Sequence, residues 1–165
     1  MTVINSTKDA ATLTLTVVAE FASTPAQVWD VWEDPRKLER WWGPPTFPAT
    51  FTRHDFTVGG ESRYHMTGPE GEKPCGWWRI EALDKPHRID FANGLAGDDG
   101  EPVPGIDSMP SHASFETTGT GGTRMTVVTH FGTLELMEKM LGMGMREGMT
   151  AAMSQIDAVL QSSPA

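Results

Sequence analysis

The chain has 165 residues, 38% of them hydrophobic and 21% charged, and a formal net charge of −9. That length favours one domain able to bury a core without staples, and the acidic balance disfavours nucleic acid and anionic membrane surfaces, which reward basic patches. Cys75 is the only cysteine, which excludes an intramolecular disulfide and a cysteine-built metal site.

No apolar run follows a basic region at the N-terminus, and no stretch reaches the length of a membrane span. A cytoplasmic location without membrane insertion is therefore expected. Residues 1–11 are polar and are expected to be flexible, as are residues 161–165, leaving one domain over residues 12–160. From Thr12 to Phe21 the pattern alternates, with Leu13, Leu15 and Val17 on one face, which predicts a half-buried strand. Thr24-Pro25 is a helix start, Thr24 as N-cap and Pro25 at the first helical position. Val28, Trp29, Trp32 and Leu38 form an apolar stripe. Asp34-Pro35 ends that helix and opens a second short one through Lys37 to Trp41, and Gly43-Pro44-Pro45 stops it. Trp41 and Trp42 are adjacent and cannot face the same way. One is expected in the core, the other at the mouth of a cavity.

Strands follow. The pattern predicts them at 49–58, 61–67, 75–83, 88–93, 111–116 and 123–131. Ser62, Tyr64 and Met66 share one face of the second; Trp78 and Ile80 share one face of the third. Residues 94–110 are rich in Gly, Asp and Pro and read as a long exposed loop, of the kind that serves as a lid or is simply mobile. Leu134 to Leu160 reads as one long helix with the stripe Met137, Leu141, Met145, Met149, Ala152, Met153, Ile156 and Leu160. Gly142, Gly144 and Gly148 each weaken a helix by about 1 kcal/mol relative to alanine, so a bend, a close backbone approach or fraying is expected there. The order of elements is that of an α+β domain: a curved antiparallel sheet of about six to seven strands, covered by the C-terminal helix, with two short helices after the first strand. A methionine-rich helix face is deformable, which leaves room for a cavity beneath it.

Several motifs in this order carry a resemblance. They are Thr24-Pro25-Ala-Gln-Val28-Trp29, Asp34-Pro35, Trp41-Trp42-Gly43-Pro44, Val58-Gly59-Gly60, Gly122-Thr123, Phe131, Glu147-Gly148-Met149 and Ser154-Gln155-Ile156-Asp157. Together they resemble the domain homologous to the activator of the heat-shock-protein-90 ATPase, within the START-like or SRPBCC superfamily. The resemblance implies a helix-grip fold with a cavity between sheet and helix. It does not imply one chemistry. Met149 stands where an aromatic residue often follows the Glu-Gly pair of that family, and the loop at 94–110 looks longer than usual.

Tyr64 and Trp78 are expected to point inward, each an apolar body with one hydrogen-bonding group. With Trp41, Trp42, Phe91, Phe115, Met145 and Met149 they make the expected wall of a site for a small hydrophobic or amphipathic molecule. An enzyme of the cyclase, dehydratase or hydrolase kind would need a convergent polar set, such as Tyr64 with a histidine; no catalytic residue is assigned. His54 and His65 flank the Gly-Gly turn and are expected to face solvent, able to pair across neighbouring strands. The five histidines, His54, His65, His87, His112 and His130, show no metal-ligand spacing, so neither a metal nor a cofactor is expected. A homodimer is plausible from such a domain, and a chaperone-associated role is the third reading.

Overall fold

The computed structural model describes residues 3–162 apart from residue 107. One sheet of eight antiparallel strands runs in the order β1-β2-β8-β7-β6-β5-β4-β3. The strands are β1 (Val3–Asp9), β2 (Thr14–Phe21), β3 (Ala49–His54), β4 (Glu61–Met66), β5 (Cys75–Asp84), β6 (Arg88–Ala96), β7 (Met109–Thr117) and β8 (Thr123–His130). Helices α1 (Pro25–Glu33) and α2 (Pro35–Leu38) separate β2 from β3, and α3 (Leu134–Gly142), α4 (Met145–Met153) and α5 (Ile156–Gln161) end the chain. No helix among the described residues is long and apolar enough to cross a membrane.

The eighth strand is β1, where the polar composition pointed to a flexible terminus. Asp9 pairs with Thr14 and the ladder continues to Ala19. An edge strand needs to supply only backbone hydrogen bonds, so hydrophobic alternation does not reveal it. Its exposed Asn5, Thr7, Lys8 and Asp9 keep the free edge from pairing further. Arg146 of α4 clamps it from below, Nε donating to Ser6 Oγ at 2.9 Å and Nη2 to the Ser6 carbonyl at 2.7 Å.

The start of α1 follows the sequence closely. Thr24 Oγ1 accepts from the Gln27 N–H at 3.3 Å and Gln27 Oε1 accepts from the Thr24 N–H at 2.9 Å, a closed capping box. Asp34 caps α2, accepting from the Arg36 N–H at 2.9 Å, and α2 opens at Pro35 as expected. It ends at Leu38, and Trp41 and Trp42 lie in the turn that follows. Strand β3 stops at His54 instead of reaching Val58. Asp55 to Gly60 is a tight turn in which Asp55 Oδ1 accepts from the Thr57 hydroxyl at 2.9 Å.

The loop expected over 94–110 is shorter. Strand β6 continues to Ala96 and β7 starts at Met109. The segment between folds back on β6, with Val103 N–H donating to the Leu95 carbonyl at 3.0 Å. Glu101 approaches Arg63 at 3.7 Å.

The single long helix is three segments. Gly144 has φ +89° between α3 and α4, a left-handed conformation that L side chains rarely adopt. A second break falls at Ser154 and Gln155. Ser154 Oγ donates back to the Thr150 carbonyl at 2.7 Å, and Gln155 Nε2 donates to the Gly43 carbonyl at 2.7 Å. The Gly43 contact ties the kink to the turn after α2. Gln161 belongs to α5; residues 163–165 lie outside the described residues.

The concave face of the sheet and the inner faces of the helices enclose the core. Trp32 of α1 is at its centre, with ring centroids 5.0 Å from Trp41, 6.0 Å from Trp78 and from Phe91, and 6.1 Å from Phe115.

Candidate ligand cavity

The first helix fills only part of the concave face. Beyond it, between β4–β8 and helices α3 and α4, lies a cavity of about 340 Å³. Its wall has three regions. Trp41, Trp42, Phe47, Tyr64 and Phe91 form an aromatic end. Met140, Met143, Met145, Met149 and Met153 line the helix side. Asn93, Ser111 and Thr129 make a polar row on the sheet. No lining residue carries a formal charge at neutral pH.

Sequence reading placed eight residues on this wall, and six are there: Trp41, Trp42, Tyr64, Phe91, Met145 and Met149. Trp78 and Phe115 are not. Both point inward, as their strand alternation requires, but into the part of the face that α1 covers. Phe115 packs on Trp29 at 5.8 Å. Trp78 is fully buried behind Trp42 and Phe91, at 4.7 and 4.8 Å. No periodicity within a strand reports how far a separate helix reaches across it. The loop 97–108 contributes no described residue to the wall, so the lid reading has no support here.

Tyr64 lies flat against β5, because Gly76 has no side chain. A Cβ there would meet the tyrosine Cζ at 2.3 Å. Phe51 stacks on the ring at 4.9 Å. Burial holds the Tyr64 hydroxyl proton more tightly than usual, raising its pKa. The Trp42 N–H leans toward that hydroxyl and partly offsets the rise, yet falls short of hydrogen-bond geometry and has no partner among the described residues.

The histidines do not join Tyr64. His54 is half-buried on the far side of Trp78 and bridges two elements rather than facing solvent. Its Nε2 contacts the Trp32 carbonyl at 2.9 Å and its Nδ1 the Ser62 hydroxyl at 2.8 Å. A carbonyl only accepts, so Nε2 carries the proton and Ser62 donates to Nδ1. Burial lowers the His54 pKa; the Trp32 carbonyl, Asp34, Asp55 and Glu33 oppose that shift. His65 pairs in register with Thr50, and His54 with Ser62, so the two histidines do not meet. The Tyr64–histidine pair that acid–base chemistry would need is therefore not assembled. No cluster of three or more His, Cys, Asp or Glu side chains suited to a metal occurs among the described residues.

The polar row escaped sequence reading, although a signal was present. Ser111 sits between Met109 and Ala113 at inward positions of β7, and Thr129 follows Met125 and Val127 on β8. A polar residue at an inward register position is the mark of such a site. Met153 also reaches the wall from the expected stripe, whereas Met140 and Met143 lie off that stripe and come to the wall through the break at Gly144.

A curved antiparallel sheet closed over C-terminal helices, with an apolar cavity between them, defines a helix-grip domain. Comparison with known families agrees. The chain belongs to the family described as activator of Hsp90 ATPase homolog 1-like protein, whose profile matches residues 22–161. A protein from Arthrobacter aurescens, solved by solution NMR, is similar at 46% identity and a TM-score of 0.92, over 98% of this chain and 94% of that one. A crystal structure from Mycobacterium smegmatis is similar at 41% identity and a TM-score of 0.89, over 99% of both chains. A third structure, an AHSA1 protein from Silicibacter pomeroyi, shares the fold at 22% identity and a TM-score of 0.71, over 90% of this chain and 97% of that one. No curated protein matches.

Proposed function

We propose that the chain binds one small, uncharged, hydrophobic or amphipathic molecule between the sheet and helices α3 and α4. The observation that carries this reading is the cavity of about 340 Å³ with no charged residue on its wall. Its volume falls within the range of about 300–1,000 Å³ usual for small-molecule sites. An uncharged wall gives a ligand carboxylate or ammonium no counter-ion, and desolvating such a group without a partner is strongly unfavourable. The aromatic end offers flat rings for stacking. The methionine side adapts its shape, because thioether chains are flexible and polarizable.

Native mass spectrometry after gentle purification, with a panel of neutral lipids and metabolites, tests the proposal. The expected result is a one-to-one adduct with an uncharged species. A protein that carries no bound molecule under any condition, with a solid core in an experimental structure, contradicts it.

A further inference from the structure

The row Asn93–Ser111–Thr129 crosses three neighbouring strands on an otherwise apolar face. Ser111 stands directly opposite Thr129 in the β7–β8 ladder. Asn93 Nδ2 donates to the Ser111 hydroxyl at 2.8 Å and to the Met109 carbonyl at 3.0 Å. The carbonyl, an acceptor only, fixes which end of the amide is nitrogen. Ser111 Oγ in turn donates to the Met109 carbonyl at 3.3 Å. Both N–H groups of Asn93 and the proton of Ser111 are thus used within the protein. Asn93 Oδ1 and the Thr129 hydroxyl make no hydrogen bond with any described residue. Yet Asn93 and Thr129 are only 9% and 2% exposed, and both line the cavity. Among the described residues the fully enclosed, unpartnered side-chain N and O atoms are Trp42 Nε1 and Trp78 Nε1 alone, so Asn93 Oδ1 and the Thr129 hydroxyl are not sealed but offer free hydrogen-bonding capacity to whatever fills the cavity. Joining β6 to β7 explains the Asn93 amide nitrogen. It explains neither its oxygen nor Thr129.

We infer that this row is a subsite that reads a neutral hydroxyl on the ligand, and that the cavity therefore selects hydroxylated, uncharged molecules over plain hydrocarbons and over carboxylates. A hydroxyl set over Ser111 has Thr129 directly opposite on β8 and Asn93 on the diagonal on β6, where Asn93 pairs with Met109. It donates toward Asn93 Oδ1 and accepts from the Thr129 hydroxyl. A carboxylate meets an acceptor at Asn93 and no cation anywhere on the wall. A hydrocarbon leaves both protein groups unpaired. The inference rests on the proposed binding role of the cavity and adds its selectivity.

Equilibrium dialysis with naphthalene, 2-naphthol and 2-naphthoate separates the two claims, because the three probes share one ring. The wild type is expected to bind 2-naphthol more tightly than naphthalene, although 2-naphthol is the less hydrophobic, and to bind 2-naphthoate most weakly. Thr129→Val keeps the side-chain shape and removes the hydroxyl. It is expected to lower the naphthol-to-naphthalene affinity ratio about fivefold, the size of one net hydrogen bond. Ser111→Ala is expected to lower the same ratio. Naphthalene and 2-naphthol bound equally by the wild type, or a ratio unchanged in both variants, overturns the subsite while leaving hydrophobic binding intact. No binding of any of the three overturns both.

Discussion

Trp32 shows how much one residue carries. Its ring touches Trp41, Trp42, Trp78, Phe91 and Phe115, and its N–H points to Met125 Sδ at 3.4 Å. Trp32→Ala removes the centre of that cluster and is expected to destabilise the fold by about 3–5 kcal/mol, read as a lowered urea midpoint. His54 carries a different signature. Its folded pKa lies below the usual 6.5 because burial disfavours the imidazolium. The unfolded chain therefore takes up the proton first. Stability is complete above about pH 6.5 and falls as the pH drops through the unfolded value toward the folded one. Urea titrations from pH 8 to pH 5 are expected to show that decline, and His54→Gln is expected to flatten it. A decline of unchanged slope in the variant assigns the effect to other groups. Much at this scale was legible in the sequence: Thr24 as cap, and Tyr64 and Phe91 on the cavity wall. His54 was not, because its partner is a carbonyl of α1, twenty-two positions away.

The elements differ in how far local pattern governs them. The capping box and Pro25 specify where α1 starts. The C-terminal helices are harder to read, since their apolar stripe continues across two breaks. Gly144 is the decisive position, with φ +89°. Gly144→Ala forces a side chain into the left-handed region and is expected to lower stability by about 1 kcal/mol. Gly148, within α4, has open space where a Cβ would sit. Gly148→Ala is expected to raise stability by up to about 1 kcal/mol. Thermal unfolding of the two variants should move in opposite directions; two shifts of the same sign contradict the three-segment reading. Strand β1 illustrates the reverse difficulty. Its polar composition hid it, and Arg146 of α4 holds it. Arg146→Ala is expected to speed amide hydrogen exchange in β1 while leaving β7 and β8 protected.

For the molecule as a whole, the order of elements and the ordered motifs pointed to the helix-grip architecture. The extent of the cavity was not readable in the same way. It depends on how α1 divides the concave face, filling the side with Trp78 and Phe115 and leaving open the side with Tyr64 and Phe91. That division is set by packing between distant segments, which hydrophobic alternation along one strand does not encode. The central claim is that the open side takes up an uncharged ligand. Methyl NMR of the ten methionines, titrated with a neutral naphthyl probe, tests it most directly. The account predicts saturable shifts at Met140, Met145, Met149 and Met153 on the wall, with Met125 and Met137 unmoved in the solid core. Shifts spread equally over all of these methyls, or none at the solubility limit of the probe, would contradict it.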